Sequence, residues 1–278
     1  MGDTLQIINS NTSLYAVLGD PISHSLSPVM HNSAFSYTDY NGVCFASKVE
    51  EIGNAITGIR ALGINGAGIT IPHKVTIMEF LDEIDDTAEK IGAVNTIINR
   101  QGKITGYNFD SIGAIKALKE KTGINNKAVA ILGAGGAARA VGYGIISEGG
   151  RLKILNRTKE KGEKLAADLG YEFCPLADLN RVKCDILINT TSVGMKPNVD
   201  SMPFEKEHLN KGMIVMDIVY NPLKTRLLKV AEDMGCTTID GVSMFVFQGA
   251  CQFELWTGEK APVDLMRKTV LKGLGCSS

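Results

Sequence analysis

Apolar positions along the chain fall into short runs, and stretches of helical period separate them. "LYAVLG", "VCFASKV" and "GAGITI" read as strands, and "EIGNAITGIRAL" carries the period of an amphipathic helix. Ser27-Pro28 reads as an N-cap followed by proline at the first helical position. "KVTIMEFL" reads as a further helix, and "AVNTIIN" and "GKITGYNF" as strands joined by a hairpin turn at Gln101-Gly102. A helical pattern starts at Asp110 and stops at "TGINNK". A second series then begins: strand "AVAILGAGG", helix "AARAVGYGIISE", strand "RLKILN", and a helix "KEKGEKLAADLG" closed by Gly170. "CDILINTT" and "MIVMDIVY" are two more apolar strands, a helix spans about Leu223 to Met234, "CTTID" follows, and the tail is helical. Strands alternating with helices predict an α/β protein with parallel sheets covered by helices. The break at "TGINNK" and the helical tail predict two domains, the second inserted into the first: residues 1–112 plus 241–278, and residues 113–240.

Composition narrows the partners. The 278 residues suffice for two ordinary domains, and a net charge of −1 argues against nucleic acid or an anionic membrane as the main partner. No apolar run is long enough to span a bilayer. The start, "MGDTLQIINSN", has no basic patch with an apolar segment behind it, so no secretory signal is expected, and it lacks the Ser or Thr of a myristoylation signal. The six cysteines are scattered without a C-x-x-C pair, which predicts reduced thiols in a cytoplasmic protein. The four histidines show no ligand spacing, so no metal is expected.

The run "ILGAGGAARA" places Gly133, Ala134, Gly135, Gly136 and Ala137 between an apolar strand and a helix. A helix start offers unpaired N–H groups and a positive dipole end, and glycine lets backbone approach a pyrophosphate. The third position of G-x-G-x-x-G is the small Ala138. A packing turn would look similar, but the strand-turn-helix context favours dinucleotide binding. At the end of the next strand an NAD site carries a carboxylate for the ribose; here stand Asn156, Arg157 and Thr158, with Lys161 a turn on. A guanidinium attracts a 2′-phosphate that a carboxylate would repel, which predicts NADP over NAD.

A hydride-transfer site also needs a group to move the hydroxyl proton, and ligands sit beyond the carboxyl ends of strands. Four polar clusters qualify: "SHSLSP", "TIPHK", "AVNT" and "YNFD". Each has a plain alternative. Ser27 is a helix cap or an anion binder, Asn95 and Thr96 bind loop backbone or ligand hydroxyls, Asp110 is a cap or a reacting group, and Lys74 is a surface lysine or a proton carrier. Gln248 and Gln252 share one face of the tail helix as i and i+4, so one can face a ligand.

Together, "GDPISHSLSPVMHN", "TIPHK", "GAVNT", "YNFD", "GAGGAARA", "NRT", "NTTSVGM", "YNPLKT" and "GVSMFVFQGACQFELWTG" resemble the shikimate dehydrogenase family in order and spacing over nearly the whole chain. The resemblance implies NADP-dependent, reversible reduction of 3-dehydroshikimate to shikimate. It implies an N-terminal α/β substrate domain completed by the C-terminal helices, with an inserted Rossmann-like NADP domain. Within it, Lys74 and Asp110 would be catalytic. Ser25 and Ser27, with Tyr220, would take the substrate carboxylate, and Thr70, Asn95 and Gln248 the ring hydroxyls. Gly133 to Ala137 would hold the pyrophosphate, Asn156, Arg157, Thr158 and Lys161 the 2′-phosphate, and Thr190, Gly241 and Met244 would lie by the nicotinamide half. The expected partner is the small-molecule substrate, and the expected assembly a monomer or homodimer. Quinate dehydrogenase activity and a non-catalytic NADP- or shikimate-sensing module are the alternatives. Three positions differ from the usual family pattern: Gly68 for Asn or Ser, Phe109 for Thr, and Ser111 for Gly.

Overall fold

The computed structural model describes residues 8–276, so the expectation of no targeting signal falls outside it at Met1–Ile7. The chain forms two compact units, Met1–Phe109 with Gly249–Ser278, and Asp110–Gln248.

The first unit contains β1 (Ser13–Gly19), α1 (Ser27–Tyr37), β2 (Gly42–Lys48), α2 (Ile52–Leu62) and β3 (Gly66–Ile69). A 3-10 helix (Thr76–Phe80), β4 (Glu83–Ile84), α3 (Asp86–Ile91), β5 (Thr96–Arg100) and β6 (Lys103–Tyr107) follow. The sheet order is β2-β1-β3-β5-β6-β4. Local sequence explains these elements. In α2, Ile52, Ile56 and Ile59 recur at helical spacing and are all buried, and Gly63 ends the helix in the left-handed conformation. They join a core with Ala16, Leu18, Ala67, Ile69, Ile97 and Ile104 from the sheet.

Three expectations need correction here. The first sheet is mixed rather than parallel, because β5 runs antiparallel to both β3 and β6. The hairpin itself sits where predicted, with Gln101 and Gly102 both at positive φ, as a tight turn between twisted strands requires. The stretch read as a helix from Lys74 is a turn followed by the 3-10 helix; its few apolar positions suit either geometry, and only packing chooses. Ser27 is not the N-cap of α1 but its first helical residue; Leu26 takes the cap position without a side-chain bond.

The second unit contains α4 (Asp110–Lys119), β7 (Ala128–Leu132), α5 (Gly136–Ser147), β8 (Arg151–Asn156), α6 (Lys159–Leu169) and β9 (Glu172–Pro175). Then come β10 (Ile186–Asn189), β11 (Ile214–Asp217), α7 (Arg226–Asp233) and β12 (Thr237–Ile239). Its sheet is parallel throughout, in the order β12-β11-β10-β7-β8-β9. Alternate residues feed two cores: Val129 and Ile131 pack on one face, Ala130 and Leu132 on the other. The chain builds outward from β7 to β9, then restarts at β10 on the other side of β7. That reversal opens a crevice at the carboxyl ends of β7 and β10. Helix α8 (Gly241–Thr257) carries the chain into the closing residues of the first unit, which end with α9 (Val263–Gly273). Among the described residues, no helix is long and apolar enough to cross a membrane.

Candidate active site

The mixed pairing of the first sheet decides what meets at its edge. Because β5 is antiparallel to β3, Thr96 at the start of β5 lies opposite Gly68 near the end of β3. Because β6 turns back, Tyr107 at its end lies opposite Thr96. Thr70, Lys74, Asn95 and Phe109 therefore gather at one edge. Backbone bonds lock the loops there: Thr70 N–H donates to Leu18 O at 2.9 Å, Ile69 N–H to Asn95 O at 2.7 Å and Val94 N–H to Lys74 O at 2.7 Å. Asp20 N–H donates to Ile71 O at 2.8 Å, tying in the loop that leads to Ser25 and Ser27. Ser25 Oγ accepts the Ser27 N–H at 3.3 Å. Lys74 is half-buried, so its stem is held while its position stays reachable.

A buried chain of polar groups orients Asn95. Gln252 Nε2 donates to Thr96 Oγ1 at 2.9 Å and to Asn95 O at 3.3 Å. Its Oε1 therefore faces His31 Nε2, 3.2 Å away, and that nitrogen carries the ring proton. Thr96 Oγ1 in turn donates to Asn95 Oδ1 at 2.7 Å, and Phe109 N–H donates to the same oxygen at 2.9 Å. With Oδ1 taken twice, the amide plane of the buried Asn95 side chain is fixed. Gln252 lies over Gly68 and Trp256 over Gly66: a Cβ on Gly66 would come within 2.6 Å of Trp256 Nε1, and one on Gly68 within 3.4 Å of Gln252 Nε2. These glycines let α8 approach the sheet closely. His31 was not among the expected site residues, and Gln252 was flagged only through its spacing from Gln248.

The second unit places the cofactor candidates at the carboxyl ends of its strands. Gly133 has φ +115, and a Cβ there would come within 2.7 Å of Thr190 Oγ1. Only glycine meets both conditions, and the Thr190 hydroxyl donates to Leu132 O at 2.6 Å beside it. Nothing lies within 4 Å of a Cβ on Gly135, so open space faces the backbone at the start of α5. That is the cradle a pyrophosphate requires, and Gly136 and Ala137 open the helix next to it. Asn156 Nδ2 donates to Thr158 O at 2.7 Å, shaping the turn in which Arg157 and Thr158 stand exposed, as does Lys161 on α6. Arg157 has no ion pair among the described residues, so its guanidinium is available to a 2′-phosphate. The residues present fit NADP.

Of the remaining candidates in this unit, Asp110 opens α4 and is buried. Tyr220 stacks on Phe245 with ring centroids 4.2 Å apart. Gln248 Nε2 donates to Phe245 O of its own helix at 2.9 Å. Met244 packs into the hydrophobic core. Gly241 presses against the Ile218 carbonyl where a Cβ would lie, so packing alone demands a glycine there. Of the differing positions, Phe109 stacks nearly parallel on Tyr107 at 6.1 Å, and the Ser111 hydroxyl fills the space left by Gly144.

Family profiles for the shikimate dehydrogenase substrate-binding domain, shikimate/quinate 5-dehydrogenase and the shikimate 5′-dehydrogenase C-terminal domain match residues 17–97, 116–240 and 241–271. The chain belongs to the shikimate dehydrogenase family. Its relatives include shikimate dehydrogenase (NADP(+)) of Pyrococcus abyssi, 47% identical over 94% of this chain and 98% of that protein. The enzyme of the same name from Geobacillus kaustophilus is 44% identical with the same coverage. A shikimate 5-dehydrogenase structure from Thermus thermophilus, in complex with NADP(H) and shikimate, superposes at a TM-score of 0.87. It is 32% identical and covers 95% of this chain and 100% of that one. A shikimate dehydrogenase fold of two α/β units accounts for about 95% of the chain.

Proposed function

We propose that Lys74 and Asp110 are the acid–base pair of this NADP-dependent shikimate dehydrogenase. The chain is an oxidoreductase acting on a CH–OH group, reducing 3-dehydroshikimate reversibly to shikimate, as expected of a family member 44–47% identical to NADP(+) enzymes along nearly its whole length. The first unit is the substrate domain and the second the NADP domain. Free, widely scattered cysteines support a cytoplasmic setting.

The observation that carries the proton-transfer reading is the edge of the first sheet. Lys74, Thr70 and the oriented amide of Asn95 are fixed there by backbone bonds, and Phe109, anchored on Asn95, is followed directly by Asp110. NADP(H), when bound, gives or takes the hydride. In reduction, the Lys74 ammonium hands a proton to the oxygen forming at C3 of the substrate; in oxidation, its free amine removes that proton. Asp110 fixes the ammonium and the hydroxyl. Ser25 and Ser27, with Tyr220, take the substrate carboxylate, and Thr70, Asn95 and Gln248 its ring hydroxyls. Arg157 with Asn156, Thr158 and Lys161 holds the 2′-phosphate, and Thr190, Gly241 and Met244 flank the nicotinamide half.

Lys74→Ala and Asp110→Asn should each lower kcat by about 10²–10⁴-fold while the Kd for NADP, read by calorimetry, changes little. Turnover like that of the parent in both variants would refute the assignment.

A further inference from the structure

Asp217 ends β11 and is fully buried, yet the proton transfer described above makes no use of it. Its carboxylate takes three donors. Oδ1 accepts the Asn189 amide at 3.0 Å and the Val219 backbone N–H at 3.1 Å, and Oδ2 accepts the Thr225 hydroxyl at 2.7 Å. The donors come from the end of β10, the loop after β11 and the N-cap of α7. Each passes the connection on. Asn189 Oδ1 accepts the Thr191 N–H at 3.1 Å and its hydroxyl at 2.7 Å, and Thr191 Oγ1 accepts the Val193 N–H at 3.2 Å. Thr225 Oγ1 accepts the Leu228 N–H at 3.3 Å. Between the two loops, Lys196 N–H donates to Asn221 O at 3.2 Å. One carboxylate thus organises both loops beyond β10 and β11. Thr190 lies between Asn189 and Thr191, and Tyr220 follows Val219.

A charge in this position works against folding. Burial raises the Asp217 pKa to about 6 even though its three donors pull it down. Among the described residues no charged side chain pairs with it, and Lys196 on the loop after β10 and Lys229 and Asp233 on α7 are exposed. Lys224 pairs with Glu232 at 2.8 Å, Arg226 donates to the Asp200 carbonyl, and Asp240 accepts the Val242 N–H at 2.9 Å. A merely structural position would be served as well by a neutral group. An ionised carboxylate, by contrast, accepts all three donors at once with charge-assisted bonds.

We propose that Asp217 is a positioning residue whose ionised carboxylate holds the loops presenting Thr190 and Tyr220, and that NADP binding and turnover depend on it through those loops. This rests on the roles assigned to Thr190 and Tyr220 above.

Asp217→Asn keeps the shape and removes the charge; Thr225→Val keeps the charge and removes one tether. Each is compared with the parent by hydrogen exchange of residues 190–195 and 218–225 in the ligand-free protein, by calorimetric Kd for NADP⁺ and NAD⁺, and by kcat and KM for shikimate. Both loops should exchange faster in both variants. Both dinucleotides should bind about tenfold more weakly, by the same factor, because the 2′-phosphate clamp is untouched. The melting temperature of Asp217→Asn near neutral pH should not fall, so weaker binding would not be the result of a globally destabilised fold. Unchanged exchange in both loops would overturn the proposal, as would faster exchange with Kd and kcat both unaltered. If Asp217→Asn does not fold, Thr225→Val decides by the same readouts. Parental binding and turnover in Thr190→Ala and Tyr220→Phe would instead remove the assignment beneath the proposal, whatever the loops do.

Discussion

Mild acid should act in opposite directions on the two units. In the first, His31 is fully buried, with Nε2 on Gln252 and Nδ1 without a partner. Burial lowers its pKa from 6.5 to about 4, against a smaller upward pull from Gln252. The unfolded chain takes up a proton near pH 6.5 while the folded unit does not until about 4, so this unit loses stability as pH falls through that window. At about 1.4 kcal/mol per pKa unit, the loss is about 3 kcal/mol. In the second unit, Asp217 is raised from 3.8 to about 6, chiefly by burial. Here the folded state takes the proton first, so stability is greatest below the unfolded pKa and is lost as pH rises through about 6. Acidification should therefore add about 3 kcal/mol to this unit. Two units need not unfold together, so one melting curve would average the effects away. Hydrogen exchange resolves them: protection of α1, β1 and β5 should fall between about pH 6.5 and 4, and that of β10, β11 and α7 should rise, after correction for intrinsic exchange. His31→Gln should flatten the first response and Asp217→Asn the second. Parallel loss of protection in both units, unaltered by either variant, would refute the reasoning.

Three further outcomes follow from the site. Arg157→Ala should weaken NADP by about 10–100-fold and leave NAD nearly unaffected, since a charged bond of about 1.5–3 kcal/mol is lost only with the 2′-phosphate; paired Kd measurements check this. Gly66→Ala should destabilise by about 1–3 kcal/mol in urea unfolding, because its Cβ would meet the Trp256 ring and the Ile97 carbonyl, while Gly68→Ala should cost less than about 1 kcal/mol. Gln252→Leu strips His31, Thr96 and Asn95 of a partner, so KM for shikimate should rise while Kd for NADP stays put, as steady-state kinetics and calorimetry would show.

How much was legible follows the distance over which each feature is built. The strands, the glycine turn and the hairpin at Gln101-Gly102 are written in neighbouring residues, and so are the polar groups at strand ends that contain Lys74 and Asn95. The antiparallel course of β5 was implicit in that hairpin, but its pairing with β3 depends on contacts about thirty residues apart. The stretch after Lys74 was misread because a short apolar i, i+3 pattern fits a 3-10 turn as well as an α-helix. The orientation of Asn95 could not be read at all: His31 and Gln252 are 221 positions apart, and nothing local marks them as partners. Asp217 is one acidic residue inside the apolar run "MIVMDIVY", and nothing local marks it, because its donors lie on another strand and at the start of a helix.

The most direct measurement of the central claim is the rate of reduced-nicotinamide formation, followed by absorbance, with shikimate and quinate each paired with NADP⁺ and NAD⁺. Shikimate with NADP⁺ should give the highest kcat/KM of the four pairs, and Lys74→Ala should abolish most of it. No turnover in any pair, or a clear preference for quinate or for NAD⁺, would contradict the account.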